Sequence, residues 1–393
     1  WDENDIIGEN GKDDKNVERF FEKRISQAYE TRKKFVENKK TDSYRLIHSE
    51  NDLLPGLIVD KYADYLVLQF HTPGMESWKD KIVAALKKTV KPSGIYERSD
   101  VRDRRRLASV IPTEPQGERR NPLNPDERDP SVAPLPQDDK TGLLYGKIPE
   151  RVKILENGYK FWVDIIGGQK TGFFLDQRDK RQALVKYSEG KDVLNCFSYS
   201  GGFSVYALGG GAKHVVSVDS SQSALELAQE NVKLNKLDIK KCEFICGDVK
   251  QYLASAPQTT ANPSQPPLGK GRGPAFPTAR GGIEGGGSTA FDVIVLDPPA
   301  FVKDRHKVRE GLQGYRRINE MALRLLAPGG ILVTCSCSAH VKLTDFRYML
   351  SESAARAKRT LQILETYTHG IDHPELVAFT EGEYLKCMFA KVV

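Results

Sequence analysis

Two short segments hold the residues best suited to chemistry in this chain. The first is Asp297-Pro298-Pro299-Ala300-Phe301, directly after the apolar run Phe291–Leu296. The second is Cys335-Ser336-Cys337-Ser338, directly after Gly330–Thr334. Both runs read as strands, and in an open parallel sheet ligands bind beyond the carboxyl ends of the strands. Two neighbouring strand ends therefore bring a carboxylate, a rigid Pro-Pro corner, an aromatic ring and a thiol to one cleft. That set suits covalent chemistry on a flat base that is hard to activate.

A third locus is the turn Asn195–Ser204, whose glycines, Gly201 among them, let backbone approach a ligand. Its spacing is neither Gly-x-Gly-x-x-Gly nor a P-loop, which argues against a dinucleotide or a triphosphate. Asp219, at the end of the next strand, is placed to accept both hydroxyls of a ribose, and Asp248, after the third, to accept from an adenine amino group. A lone Asp at a strand end is more often a helix cap. Three such acids beside a Gly-rich turn point to a nucleoside-containing ligand without a pyrophosphate, and S-adenosylmethionine is one.

The elements that must position these residues follow from pattern. Strands and helices alternate from residue 191 onward, so the fold class is α/β, with a mostly parallel sheet and helices on both faces. Leu385–Val393 is expected as an antiparallel edge strand. Ahead of this lies Val152–Ile165, a hairpin around Asn157-Gly158. Residues 44–150 read as a small α+β domain and residues 1–43 as a linker with a charged helix over 14–38. The main domain is then 151–393. Residues 108–140 and 255–290 have linker composition and read as flexible inserts.

The chain has 393 residues, 39% of them apolar and 28% charged, as in a globular protein. No apolar run approaches a membrane span, and no metal site is expected. Net charge is +6; the first 150 residues hold 27 basic and 28 acidic side chains, the rest 32 and 25. That bias permits a nucleic-acid partner. Six cysteines do not make a disulfide framework, and a free strand-end thiol fits a reducing cytoplasm.

Gly172–Arg178, the Asn195–Ser204 turn, Asp297–Phe301, Ser336-Cys337-Ser338, Asp372-His373-Pro374 and Glu381–Lys386 together resemble the class I S-adenosylmethionine-dependent methyltransferases that make 5-methylcytosine in large-subunit ribosomal RNA. The resemblance covers the whole chain except the two inserts. It implies a class I methyltransferase Rossmann-like fold, S-adenosylmethionine as cofactor and ribosomal RNA as partner. A homodimer is the oligomeric state allowed for. In that family an RNA-binding PUA domain precedes the part seen here, and Trp1 falls about where it should end. Arg178, Ser198, Tyr199, Asp219, Ser220, Asp248 and Asp297 would line the cofactor site.

Cytosine C5 is a poor nucleophile until a thiolate adds to C6, so such an enzyme requires a thiol. Cys337 matches the family's nucleophile and Cys335 is the runner-up. Asp297 would hold the protonated N3 or the amino edge of the base, with Pro298 and Pro299 fixing the loop and Phe301 stacking on a base. Arg316 and Arg317, just beyond the loop, are expected on phosphates. Two rivals stand beside this reading: an RNA amine methyltransferase, which needs no thiol, and a non-catalytic RNA-binding ribosome-assembly factor.

Overall fold

The computed structural model describes residues 14–99, 141–256, 290–302, 304–379 and 382–393. The inserts expected at 108–140 and 255–290 fall almost wholly outside these residues. The chain divides into two compact units.

The first unit comprises Trp1–Val36, Tyr44–Val152 and Asp164–Phe173, as far as these are described. Helix α1 (Asp14–Phe35) buries Val17, Phe21, Ile25 and Ala28, a stripe at helical spacing. It packs against α2 (Lys79–Val90). The five strands β1 (Tyr44–His48), β2 (Leu57–Tyr62), β3 (Tyr65–Phe70), β4 (Gly94–Arg98) and β5 (Thr141–Gly146) pair in chain order. The sequence set residues 1–43 apart; instead α1 joins the core of this unit, because its apolar stripe needs a surface to bury against.

The second unit comprises Glu37–Ser43, Lys153–Val163 and Phe174–Val393. Strands β6 (Val152–Glu156) and β7 (Tyr159–Val163) form the expected hairpin, with Asn157 at φ 50° and Gly158 at 88°. Its main sheet has the order β10-β9-β8-β11-β12-β14-β13, formed by β8 (Asp192–Cys196), β9 (His214–Asp219), β10 (Cys242–Cys246), β11 (Phe291–Leu296), β12 (Leu326–Ser336), β13 (Leu361–Tyr367) and β14 (Lys386–Val392). The strands from β10 to β12 run parallel, while β14 is antiparallel to both its neighbours. The expected edge strand is therefore interior: β14 is buried almost throughout, and β13, with alternating half-buried and exposed residues, forms the edge. The order reverses between β8 and β11, which creates a switch-point crevice at the carboxyl ends of the strands.

Among the described residues the α-helices of this unit are α3 (Arg178–Leu184), α4 (Gly202–Gly209), α5 (Gln222–Leu234), α6 (Val249–Ser255), α7 (Val308–Leu325) and α8 (Leu343–Ala357). Tyr252 of α6, Tyr315 and Ile318 of α7 and Phe346 of α8 share one core with Val216, Ile294 and Leu332 of the sheet. The hairpin is tied in by charge. Arg181 donates from Nε and Nη2 to the two oxygens of Glu156, each at 2.7 Å, and both side chains are buried. Tyr206 adds a third bond to the same carboxylate at 3.0 Å.

Removing one member of a buried pair strands the other charge, which costs about 3–5 kcal/mol; Arg178 Nε, 3.8 Å from Glu156, still answers part of that charge and sets the cost at the low end of the range. Arg181→Met is accordingly expected to lower urea-unfolding stability by that amount, and Glu156→Gln with Arg181→Met to recover part of it. A single variant as stable as wild type would contradict this.

Candidate active site

The chain leaves β8 through a strained turn. Phe197 and Tyr199 have φ of 59° and 46°, and Gly201 has 77°. Left-handed residues other than glycine cost on the order of 1 kcal/mol or more and persist only where the surroundings hold them. Glycine is obligatory at 201, because a Cβ there would stand 2.8 Å from the Cβ of Ala228. Asp219 holds the turn: Oδ2 accepts from the Tyr199 N–H at 2.8 Å and Oδ1 from the Ser221 N–H at 3.0 Å. A carboxylate has about four acceptor positions, so Asp219 keeps capacity for ribose hydroxyls.

Beside it, Ser198 Oγ, Ser200 Oγ and Asn195 Oδ1 are buried without hydrogen-bond partners among the described residues. Buried polar atoms are seldom left so, and a polar ligand in the turn would satisfy them. These hydroxyls, the amide oxygen and the Asp219 carboxylate fit a nucleoside that carries an amino-acid tail. Tyr199 packs edge-on against Phe174. Ser220 is exposed.

Asp248 and Arg178 stand differently. Asp248 is exposed, and one of its oxygens accepts from Gln251 N at 2.9 Å, capping α6. The buried Arg178 donates from Nη2 to the carbonyl of Ser43 at 2.9 Å and to Asp372 at 3.0 Å. Its guanidinium thus anchors the segment carrying Asp372, where the sequence suggested a cofactor contact.

At the other two strand ends, Cys337 is half-buried, and its thiol lies 3.8 Å from the carbonyl oxygen of the buried Pro298. Pro299 is exposed. Ser338 pins the two loops together: its Oγ accepts from Val302 N at 3.2 Å and meets the Tyr315 hydroxyl at 2.9 Å. Asp297 Oδ1 accepts from Gln177 Nε2 at 2.8 Å. Cys335, the runner-up nucleophile, is fully buried opposite Cys387 on β14. The Cys387 thiol and burial push it well above the ordinary thiol value, so it is sealed where Cys337 is accessible.

Of the expected substrate residues, Phe301 and Arg316 have neighbours within the protein itself. Phe301 is engaged by its own protein, with the Tyr315 ring 4.7 Å away and Lys250 Nζ 5.2 Å from its centroid. Arg316 is paired with Glu352 at 3.4 Å, whereas Arg317 is exposed. Gln177 and Lys386 were missed as site residues, although both lie in segments that carry the family resemblance. The signal lay in their type: an amide and an ammonium amid residues that the fold buries. Among the described residues no group of three or more His, Cys, Asp or Glu is arranged to hold a metal.

His369 supports the β14 end of the site. Its Nε2 accepts from the N–H groups of Tyr384 and Leu385, at 3.2 and 3.0 Å, so Nδ1 carries the proton and donates to Glu375. Burial, against the pull of Glu375, lowers its pKa to about 4.

Two outcomes follow from this geometry. Asp219→Ala is expected to weaken S-adenosylmethionine binding by roughly 2–3 kcal/mol in calorimetry; equal affinity would contradict the assignment. For His369, the unfolded chain takes up a proton near pH 6.5 and the folded one only near pH 4. Its contribution is therefore complete above pH 6.5 and lost as pH falls from there towards 4. Between pH 7 and pH 5 wild type should lose about 2 kcal/mol of stability through this group, and His369→Gln should show a flatter profile. Equal slopes would contradict it.

Comparison with known proteins places the family and the fold. Residues 135–255 match the family model described as S-adenosylmethionine-dependent methyltransferase. The chain is 40% identical over 368 residues to ribosomal RNA large subunit methyltransferase I of Aeromonas salmonicida, covering 93% of this chain and 79% of that protein. It is 38% identical over 375 residues to the protein of the same name from Aliivibrio fischeri strain MJ11, covering 95% and 81%. Among solved structures, a protein described as a SAM-dependent methyltransferase from Streptococcus mutans superposes with a TM-score of 0.71 at 24% identity, over 95% of this chain and 81% of that one. A methyltransferase complexed with SAH superposes with a TM-score of 0.72 at 24% identity, over 95% and 82%. At that identity the two structures speak for the fold. On the relatives' identity and extent, the chain belongs to the ribosomal RNA large subunit methyltransferase I family of S-adenosylmethionine-dependent methyltransferases.

Proposed function

We propose that this chain methylates C5 of a cytosine in large-subunit ribosomal RNA through a covalent adduct with Cys337. The observation that carries the reading is a half-buried, accessible thiol at one strand end, held 3.8 Å from Pro298 O beside the loop that bears Asp297. An amine methyltransferase has no use for a thiol there, since nitrogen brings its own electron pair to the methyl group.

S-adenosylmethionine, when bound, supplies an electrophilic methyl group. The Asp219 carboxylate would hold its ribose, and Ser198 and Asn195 would take its polar tail. Cys337 adds as a thiolate: an S–C6 bond forms, and the C5=C6 electron pair is pushed towards C5. Asp297, oriented by Gln177, accepts from the protonated N3 and the amino group of the base, so that negative charge pushed into the ring is neutralised by the N3 proton that the carboxylate holds in place. After C5 has accepted the methyl group it still carries its proton. Loss of that proton to a base returns the electron pair to the ring and expels Cys337 as a thiolate. Pro298 and Pro299 fix the loop and keep its carbonyls turned to the cleft.

RNA with 5-fluorocytosine at the target should trap the adduct, because fluorine cannot leave as the C5 proton does. The trap is expected to need S-adenosylmethionine, to vanish in Cys337→Ala and to survive in Cys335→Ala. Methyl transfer to an RNA that yields no trapped species would end the covalent reading and favour amine methylation. Absence of any methyl transfer to ribosomal RNA would favour a non-catalytic binding role.

A further inference from the structure

Lys386 is a buried ammonium at the end of the same sheet. It is 1% exposed and pairs with Ser336 across the antiparallel register of β12 and β14. That register sets it beside the point where the chain leaves β12 for Cys337. Its Nζ donates to the carbonyl oxygens of Glu383 at 2.9 Å and Ser338 at 3.4 Å. Carbonyls solvate an ammonium without neutralising it. Among the described residues no carboxylate oxygen lies within 4.0 Å of Nζ.

A buried charge without an answering charge is costly. Three groups act on Lys386 at longer range: Glu383, Cys337 and Glu375. Burial holds its pKa below the usual lysine value, and these three pull it back up. The same thiol bears on the Tyr315 hydroxyl. Two residues earlier, Cys335 is raised by Asp297 and lowered by Lys180. Of the three groups acting on Lys386, Cys337 alone belongs to the reacting set, in the segment whose Ser338 carbonyl the ammonium already grips.

We propose that Lys386 is the charge partner of the Cys337 thiolate. The exchange balances: the Cys337 thiol releases its proton to solvent, and the thiolate left behind answers the standing charge of the Lys386 ammonium, so the pair is neutral. When sulfur bonds to C6 it becomes a neutral thioether, and the ammonium stays on the carbonyls of Ser338 and Glu383. When the thiolate is expelled, the pair is restored. Lys386 acts through sulfur and touches no substrate atom, so it is a positioning residue. This rests on the assignment of Cys337 as nucleophile, but its test needs neither RNA nor methyl transfer.

The test is the pH dependence of iodoacetamide alkylation, followed by mass spectrometry for each cysteine peptide of the full chain. Exposed Cys246 is the internal reference. In wild type Cys337 should react at lower pH than Cys246. At pH 7, Lys386→Met should slow Cys337 by about tenfold or more, while Cys246 is unchanged and Lys386→Arg restores most of the rate. A Cys337 profile unmoved by Lys386→Met would overturn the proposal. So would a wild-type Cys337 that reacts only at higher pH than Cys246, a result that needs no variant to fold. Failure of the 5-fluorocytosine trap, with the alkylation shift intact, would instead count against the nucleophile assignment.

Discussion

Parallel pairing of β11 with β12, in the register Leu296↔Thr334, is the constraint on which the site depends. It sets the end of β11 opposite Thr334, two residues before β12 itself ends at Ser336, so the Asp297 and Cys337 loops leave neighbouring strand ends. Neither loop has regular structure of its own to fix it. Ser338 supplies the tie, accepting from Val302 of one loop while standing next to Cys337 in the other. Helix α7 closes the arrangement from behind. Gly311 lets it approach so closely that a Cβ there would lie 2.2 Å from Val302 Cγ2.

Around that pairing the molecule keeps groups that a plain core would reject. Phe197 and Tyr199 hold left-handed backbone, Ser198 Oγ lacks a partner among the described residues, and Lys386 is buried. Each costs stability, and each lies at the carboxyl end of the sheet or in the turn it feeds. The rest of the unit offsets them with a continuous apolar core. Strain and desolvated charge at one edge of an otherwise regular fold are what a reactive site requires.

Much of this was legible in the sequence, for a physical reason. Strands of a parallel sheet are buried on both faces, so β8, β9 and β11 appear as short, mainly apolar runs such as Val293–Leu296. The Asp219 position is local, set by the end of its own strand. Strand β13 was hidden because it is half exposed along one side and lies within a stretch that read as a connection. For the same reason β14 was taken for the edge. Helix α1 was read as a helix but not as core, because its partner surface is assembled from later residues. Gln177 and Lys386 escaped because their roles exist only across distance: Gln177 meets Asp297 120 residues away, and Lys386 meets Ser338 48 residues away.

The central claim is that Cys337 turns C5 of a cytosine into the nucleophile. The most direct measurement uses ribosomal RNA labelled with tritium at cytosine C5, scoring methyl incorporation and tritium release in one reaction. Every methyl group placed on C5 must displace the hydrogen there, so the account predicts one tritium released per methyl gained, with both lost in Cys337→Ala. Methyl incorporation with the tritium retained would place the methyl group on another atom and contradict the account.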